Sequence, residues 1–98
     1  MVNAVSEDAA NDINAKLSKR LAQERESRGI SKKALAGLAD IDRSTVKFIE
    51  EPEDNPTILN LIRYGLALKL DVGKLLSECL EPHLTEAKPK EAKTKKVK

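Results

Sequence analysis

Two short helical patterns separated by a single tight break, within residues 29–50 (GISKKALAGLADIDRSTVKFIE), constrain this chain more than any other feature. Leu35, Ala36 and Ala39 recur at the spacing of one helical face, and Val46 and Ile49 do the same further on. The break is too short to let the two helices separate, so both apolar faces must meet one core. Asp40 falls where the turn needs a positive φ, a conformation that Asp tolerates as a substitute for Gly. Ile41 closes the turn into the core, and Asp42 is positioned to cap the second helix, Arg43 to about Glu51.

The flanking sequence supplies three more helices. The first runs from near Ser6 to Arg28, with Ser6 as its N-cap, Glu7 and Asp8 in its first turn, and Ile13, Leu17 and Leu21 along one stripe. Gly29 can take the left-handed conformation that ends it, turning Ile30 back to the core, and Ser31 then caps the short helix Lys32 to Ala39. Pro52 and Pro56 bracket a loop that cannot remain helical. Thr57 caps a fourth helix, Ile58 to about Leu68, and Asp71 caps a fifth, Val72 to about Leu80. No segment carries the alternation of a strand. The expectation is an all-α chain of five helices, with an N-terminal extension at 1–13 that begins the first helix, a folded domain at 14–80, and a flexible basic tail at 81–98.

At 98 residues the chain has room for one domain, and a folded part of this size buries only roughly 60% of its unfolded surface. Association with a second copy is a common remedy. The single Cys79 excludes an intramolecular disulfide, and no zinc spacing of Cys and His occurs. A reducing cytoplasm is the expected location. The acidic N-terminus is unlike a signal peptide, and no apolar run reaches the ~20 residues of a membrane span. With Phe48 and Tyr64 as the only Phe, Trp or Tyr residues, a stacking platform for single strands is not expected, which argues for duplex over RNA. The net charge of +2 is uneven, with three acids in 1–13, +2 in 14–80 and +3 in 81–98, so a surface for a polyanion must concentrate its bases on one face.

From about Leu17 to Leu76 these features together resemble the lambda-repressor-like (XRE-type) helix-turn-helix domain of bacterial and phage transcription regulators. The resemblance rests on Gly29-Ile30-Ser31, Leu35-Ala36, the run Ile41 to Val46, Ile49-Glu50, Asn55-Pro56-Thr57, and Asp71 to Leu76, all in register without a gap. It implies a five-helix fold and binding of double-stranded DNA. It also implies that the start of the second helix lies on the DNA backbone, and that Arg25 pairs with Glu50 to fix the third helix against the first.

The residues themselves favour the third helix for base contact, because Ile41, Val46 and Ile49 face inward and leave Arg43, Ser44, Lys47 and Phe48 outward. Arg43 can give guanine two hydrogen bonds, Ser44 and Lys47 can reach bases or phosphates, and Phe48 can offer apolar contact to a thymine methyl. Lys32 and Lys33 beside a helix N-terminus, with Ser31, form a phosphate site; the plainer alternative is two solvated lysines. Leu59 and Leu66, with Leu76 and Leu80 nearby, outline a homodimer surface where Gly65 would let another helix approach. Two copies would then present their third helices about one DNA turn apart, on a palindromic operator.

Three features depart from the resemblance. Glu51, Glu53 and Asp54 make acidic a turn that usually approaches phosphates, a penalty of about 1–2 kcal/mol if all three are exposed. Phe48 stands where a polar residue is usual, and Lys69 where a Gly often ends the fourth helix. The leading expectation is a homodimeric repressor, with concentration or a regulatory partner protein controlling it. The alternative is a protein-interaction module on the same fold, such as an antitoxin or adaptor subunit, that uses the acidic loop and Phe48. Enzyme chemistry has little support: His83 is the only histidine, Cys79 lacks an evident base and there is no Gly-rich phosphate loop. No metal, cofactor or small-molecule ligand is expected.

Overall fold

A computed structural model describes residues 7–52 and 54–86 as five α-helices: α1 (Glu7–Ser27), α2 (Lys32–Ala39), α3 (Arg43–Glu50), α4 (Ile58–Leu68) and α5 (Val72–Glu86). There is no strand among the described residues. Each boundary has a local cause. Gly29, at φ 68°, ends α1, and Ile30 packs against the core beyond it. The Ser31 hydroxyl oxygen accepts from Ala34 N at 3.0 Å to start α2, and Thr57 does the same for Asn60 N at 3.1 Å to start α4. The Asp71 carboxylate accepts from Lys74 N at 3.0 Å, in the first turn of α5.

Two left-handed residues turn the chain between helices. Asp40 (φ 58°) directs Ile41 N back to the Ala36 carbonyl at 3.1 Å, and Lys69 (φ 54°) directs Leu70 N to the Gly65 carbonyl at 2.8 Å. The Lys69 position thus keeps the conformation that glycine would supply. At α3, Asp42 has the extended backbone of an N-cap, but its side chain makes no capping bond; its carbonyl alone accepts from Thr45 N and Val46 N.

The core collects Leu17 and Leu21 of α1, Leu35 and Ala36 of α2, Val46 and Ile49 of α3, Tyr64 and Leu68 of α4, and Leu75 and Cys79 of α5. Ile13, Ile41, Val72 and Leu76 pack around its edge. Gly65 is buried, and a Cβ there would come within 2.5 Å of Val72 Cγ2 and 3.1 Å of the Leu70 carbonyl. The close approach that this glycine permits is therefore between α4 and the start of α5 in one chain. The expectation that it admits a helix of another copy is corrected, because Gly65 lies on the inward side of α4.

The fifth helix also differs from expectation. It continues beyond Leu80 to Glu86, so residues 81–86 belong to a helix and not to a flexible tail. Pro82 lies inside it and removes one backbone donor, but α5 lies along α1, where the His83 ring nitrogen meets Asp12 at 3.3 Å and Arg20 donates to Glu78 at 3.0 Å. Those cross-helix contacts hold the turns on either side of the proline. The expected cap at Ser6 and the tail at 87–98 lie outside the described residues.

Candidate nucleic-acid interface

The α2–turn–α3 unit separates its residues cleanly into two sides. Leu35, Ala36, Ala39, Val46 and Ile49 are buried. Arg43, Ser44 and Lys47 are exposed on the outer side of α3, and Phe48 follows at 43% exposure. Lys32, at the start of α2, joins Arg43, Ser44 and Lys47 around one shallow, open recess. The fold thus brings three cations and a hydroxyl onto a single surface, although Lys32 and Arg43 lie in different helices.

Lys33 and Ser31 are exposed beside that recess. The Ser31 oxygen is occupied by the Ala34 N–H, which leaves the hydroxyl proton available to an outside acceptor. The first backbone N–H groups of α2 have no partner within the helix, so they reinforce the positive end of its dipole next to the two lysine ammonium groups. Among the described residues no carboxylate lines the recess. Its chemistry suits an anion with many closely spaced oxygens.

What keeps this surface in place is a buried polar knot on the opposite side of α3. Arg25 of α1 donates from Nε to Glu50 Oε2 at 2.7 Å and from Nη2 to Glu50 Oε1 at 3.1 Å, while its Nη1 donates to the Ile30 carbonyl at 2.7 Å. Both side chains are almost fully buried, at 8% and 5% exposure. The Tyr64 hydroxyl of α4 lies 2.6 Å from Glu50 Oε2 and 2.9 Å from the Leu21 carbonyl, two acceptors for one proton. No buried side-chain nitrogen or oxygen among the described residues lacks a partner. The Glu50 carboxylate, through its hydrogen bond, raises the pKa of Arg25 above the ordinary guanidinium value. Burial, followed by the bond to Glu50, raises the Tyr64 phenol well above its usual range. One carboxylate at the end of α3 is therefore clamped by α1 and α4 together.

Two of these supporting residues carry roles that the sequence reading did not give them. Tyr64 entered the sequence analysis only as one of two aromatic residues; its hydroxyl is the available signal, since a buried phenol needs a partner. Asn14 is the other. Its amide donates to the Asp54 carbonyl at 2.7 Å and to the Pro52 carbonyl at 3.3 Å, tying the acidic loop to α1. Glu51 and Asp54 are half-buried, not fully exposed, so the electrostatic penalty on the recess is smaller than three open carboxylates would impose.

The residues expected at a dimer surface divide into two groups. Leu59 and Leu66 are 56% and 73% exposed. Leu76 and Leu80 are half-buried, and Leu76 packs on the core of its own chain. Its side chain is already committed there and is a poor partner for a second copy.

Two short helices joined by a tight turn with their inner sides buried, a cationic outer surface on the second of them and a polar clamp behind it define a helix-turn-helix module. A family profile described as Helix-turn-helix matches residues 21–75, more than half of the chain. The protein belongs to the XRE/lambda-repressor-like helix-turn-helix family. Membership points to a DNA-binding regulator, in a family that is typically not enzymatic. No curated protein matches the chain. Among the described residues no helix is long and apolar enough to cross a membrane, and no group of His, Cys, Asp and Glu could hold a metal ion.

Proposed function

We propose that this protein is a cytoplasmic transcriptional repressor that binds a palindromic operator as a homodimer. The outer side of α3 enters the major groove, where Arg43 reads guanine O6 and N7 through two hydrogen bonds and Ser44 and Lys47 contact neighbouring bases or phosphates. Phe48 packs on a thymine methyl at the edge of the contact. Lys32, Lys33, Ser31 and the N-terminus of α2 hold the phosphate backbone and set the register of α3.

The single observation that carries this reading is the recess lined by Lys32 of α2 and by Arg43, Ser44 and Lys47 of α3, which puts three cations and a hydroxyl of adjacent helices on one surface. Repression is the output we favour, because a small module seated on a promoter would exclude polymerase without needing a second domain.

Selection of bound duplexes from a random pool tests the proposal and should return a two-fold symmetric sequence. On that sequence, Lys32→Ala should weaken binding of all duplexes alike and lower the salt dependence by about one phosphate contact. Arg43→Ala should instead cost about 1–3 kcal/mol of discrimination, mainly at one base position. Absence of duplex binding even at low salt would refute the proposal and favour a protein-interaction module built around the half-exposed Phe48.

A further inference from the structure

The chain leaves the exit end of α3 along α1, and one side chain holds it there. The Asn14 amide donates to the Asp54 carbonyl at 2.7 Å and to the Pro52 carbonyl at 3.3 Å. Both of its N–H bonds are thereby directed at the segment just past α3. Pro52 has no N–H of its own, and the one backbone bond across this turn runs from Asp54 N to the Glu51 carbonyl at 3.2 Å. No other side chain among the described residues gives a hydrogen bond to Pro52 or Asp54.

Asn14, Leu21 and Arg25 stand at i, i+7 and i+11, so they fall within an arc of about 40° on one line of α1. That line meets α3 and its exit at three points. Arg25 holds the Glu50 carboxylate, the Leu21 carbonyl lies 2.9 Å from the Tyr64 hydroxyl that also bonds Glu50, and Asn14 holds the backbone beyond it. From Arg25 to Asn14 the grip extends over about 16 Å of α1. The entry end of α3 is held less firmly, because Asp42 makes no side-chain capping bond. Arg43 sits at that entry end, seven residues or about 10 Å along the axis from Glu50. A helix fixed at Glu50 alone can still tilt about that point, since the apolar packing of Val46 and Ile49 has no preferred direction. A tilt of about 10° moves Arg43 by about 2 Å, beyond the ~0.5 Å within which a binding constellation must be held.

We propose that Asn14 is a positioning residue for base reading: by tying the segment after α3 to α1, its amide fixes the angle at which α3 presents Arg43. The inference rests on the DNA reading above and adds to it a residue remote from the recess. Asn14 precedes the stretch 21–75 that carries the family pattern, so this device is not part of the shared module.

Duplex binding by the full-length protein tests it, with wild type, Asn14→Ala, Arg43→Ala and the double variant compared on the selected operator, on that operator changed at the base pair that Arg43→Ala identifies, and on random duplex. Asn14→Ala should lower the preference for the correct base pair at least about fivefold. Binding to random duplex should stay within about twofold, since Lys32 and Lys33 stand on α2. In the Arg43→Ala background the same substitution should alter the preference by less than about twofold, because the side chain that Asn14 orients is gone. A loss that is equal on operator and random duplex in both backgrounds marks a purely structural residue and overturns the inference. Asn14→Asp, equal in size but lacking the donors, should reproduce Asn14→Ala, and it is read in place of Asn14→Ala if the latter loses its helical circular dichroism. If neither variant keeps that signal, the residue serves folding and the inference falls. A wild type that selects no duplex sinks the DNA reading and this inference with it, whereas an operator discriminated equally well by Asn14→Ala sinks the inference alone.

Discussion

Helices α3 and α4 bury the same kind of side and present opposite kinds of outer surface. Val46 and Ile49 of α3 and Tyr64 and Leu68 of α4 converge on one core. Outward, α3 shows Arg43, Ser44 and Lys47, whereas α4 shows Ile58, Leu59, Ile62 and Leu66. Burial therefore explains the inner half of each helix and says nothing about the outer half. Under the proposed function the cations of α3 meet a polyanion, a partner for which the apolar outer side of α4 is unsuited. Glu50 links the two helices, since Tyr64 of α4 and Arg25 of α1 both hold it.

The comparison breaks most visibly at that link. Arg25→Ala or Glu50→Ala should each cost up to about 3–5 kcal/mol of folding stability, because the survivor loses its main partner while buried; as a charged partner Arg25 keeps only the exposed Glu26 carboxylate at 3.6 Å. Denaturant unfolding of the two variants checks this, and a loss below about 1 kcal/mol for both would mean that the pair is not closed in solution.

Tyr64→Phe should cost about 1.5–3 kcal/mol, since it withdraws a hydrogen bond from a buried carboxylate. The same residue gives a pH dependence with a definite sign. The fold raises its pKa, so the folded chain keeps the phenol proton where the unfolded chain has released it. The Tyr64 contribution is thus complete below about pH 10 and declines above it by about 1.4 kcal/mol per pH unit. As Tyr64 is the only tyrosine, alkaline difference absorbance follows it directly, and Tyr64→Phe should abolish this part of the decline.

The outer surfaces sharpen the contrast on a smaller scale. Lys47→Ala should change folding stability by less than about 0.5 kcal/mol at any protein concentration. Leu66→Ala should be equally mild for the monomer, but should lower the melting temperature of concentrated samples, where the proposed association adds to stability. Equal, concentration-independent effects at both sites would erase the distinction. The smallest change is a gain: Gly37→Ala in α2 should stabilise by about 0.5–1 kcal/mol, because nothing lies within 4 Å of the added Cβ.

Helix placement was legible where one local rule decided it. Ser31 and Thr57 cap as their residue type dictates, and Asp40 accepts the positive φ that the two-helix spacing demands. The α5 terminus was not legible, because Pro82 argues for a stop and only the packing of α5 on α1 overrules it. The outward set on α3 followed from helical periodicity, yet the position of Lys32 in the same recess depends on how α2 and α3 pack. Leu76 shows the converse case. Its spacing allows exposure, but the turn at Lys69 swings α5 so that Leu76 packs on the core. Asn14 gave no warning, since its partners are carbonyls about forty positions away.

Leu17, Ser18 and Cys79 are buried at 6%, 2% and 6% exposure, and all three lie outside the stretch 21–75 that carries the family pattern. What evolution repeats in this family and what must fold as one piece are consequently different lengths of polypeptide. A fragment trimmed to the shared stretch would open a hole beneath α1 and release the loop that Asn14 anchors. Transplanting this helix-turn-helix unit onto another protein would have to carry both outer helices with it.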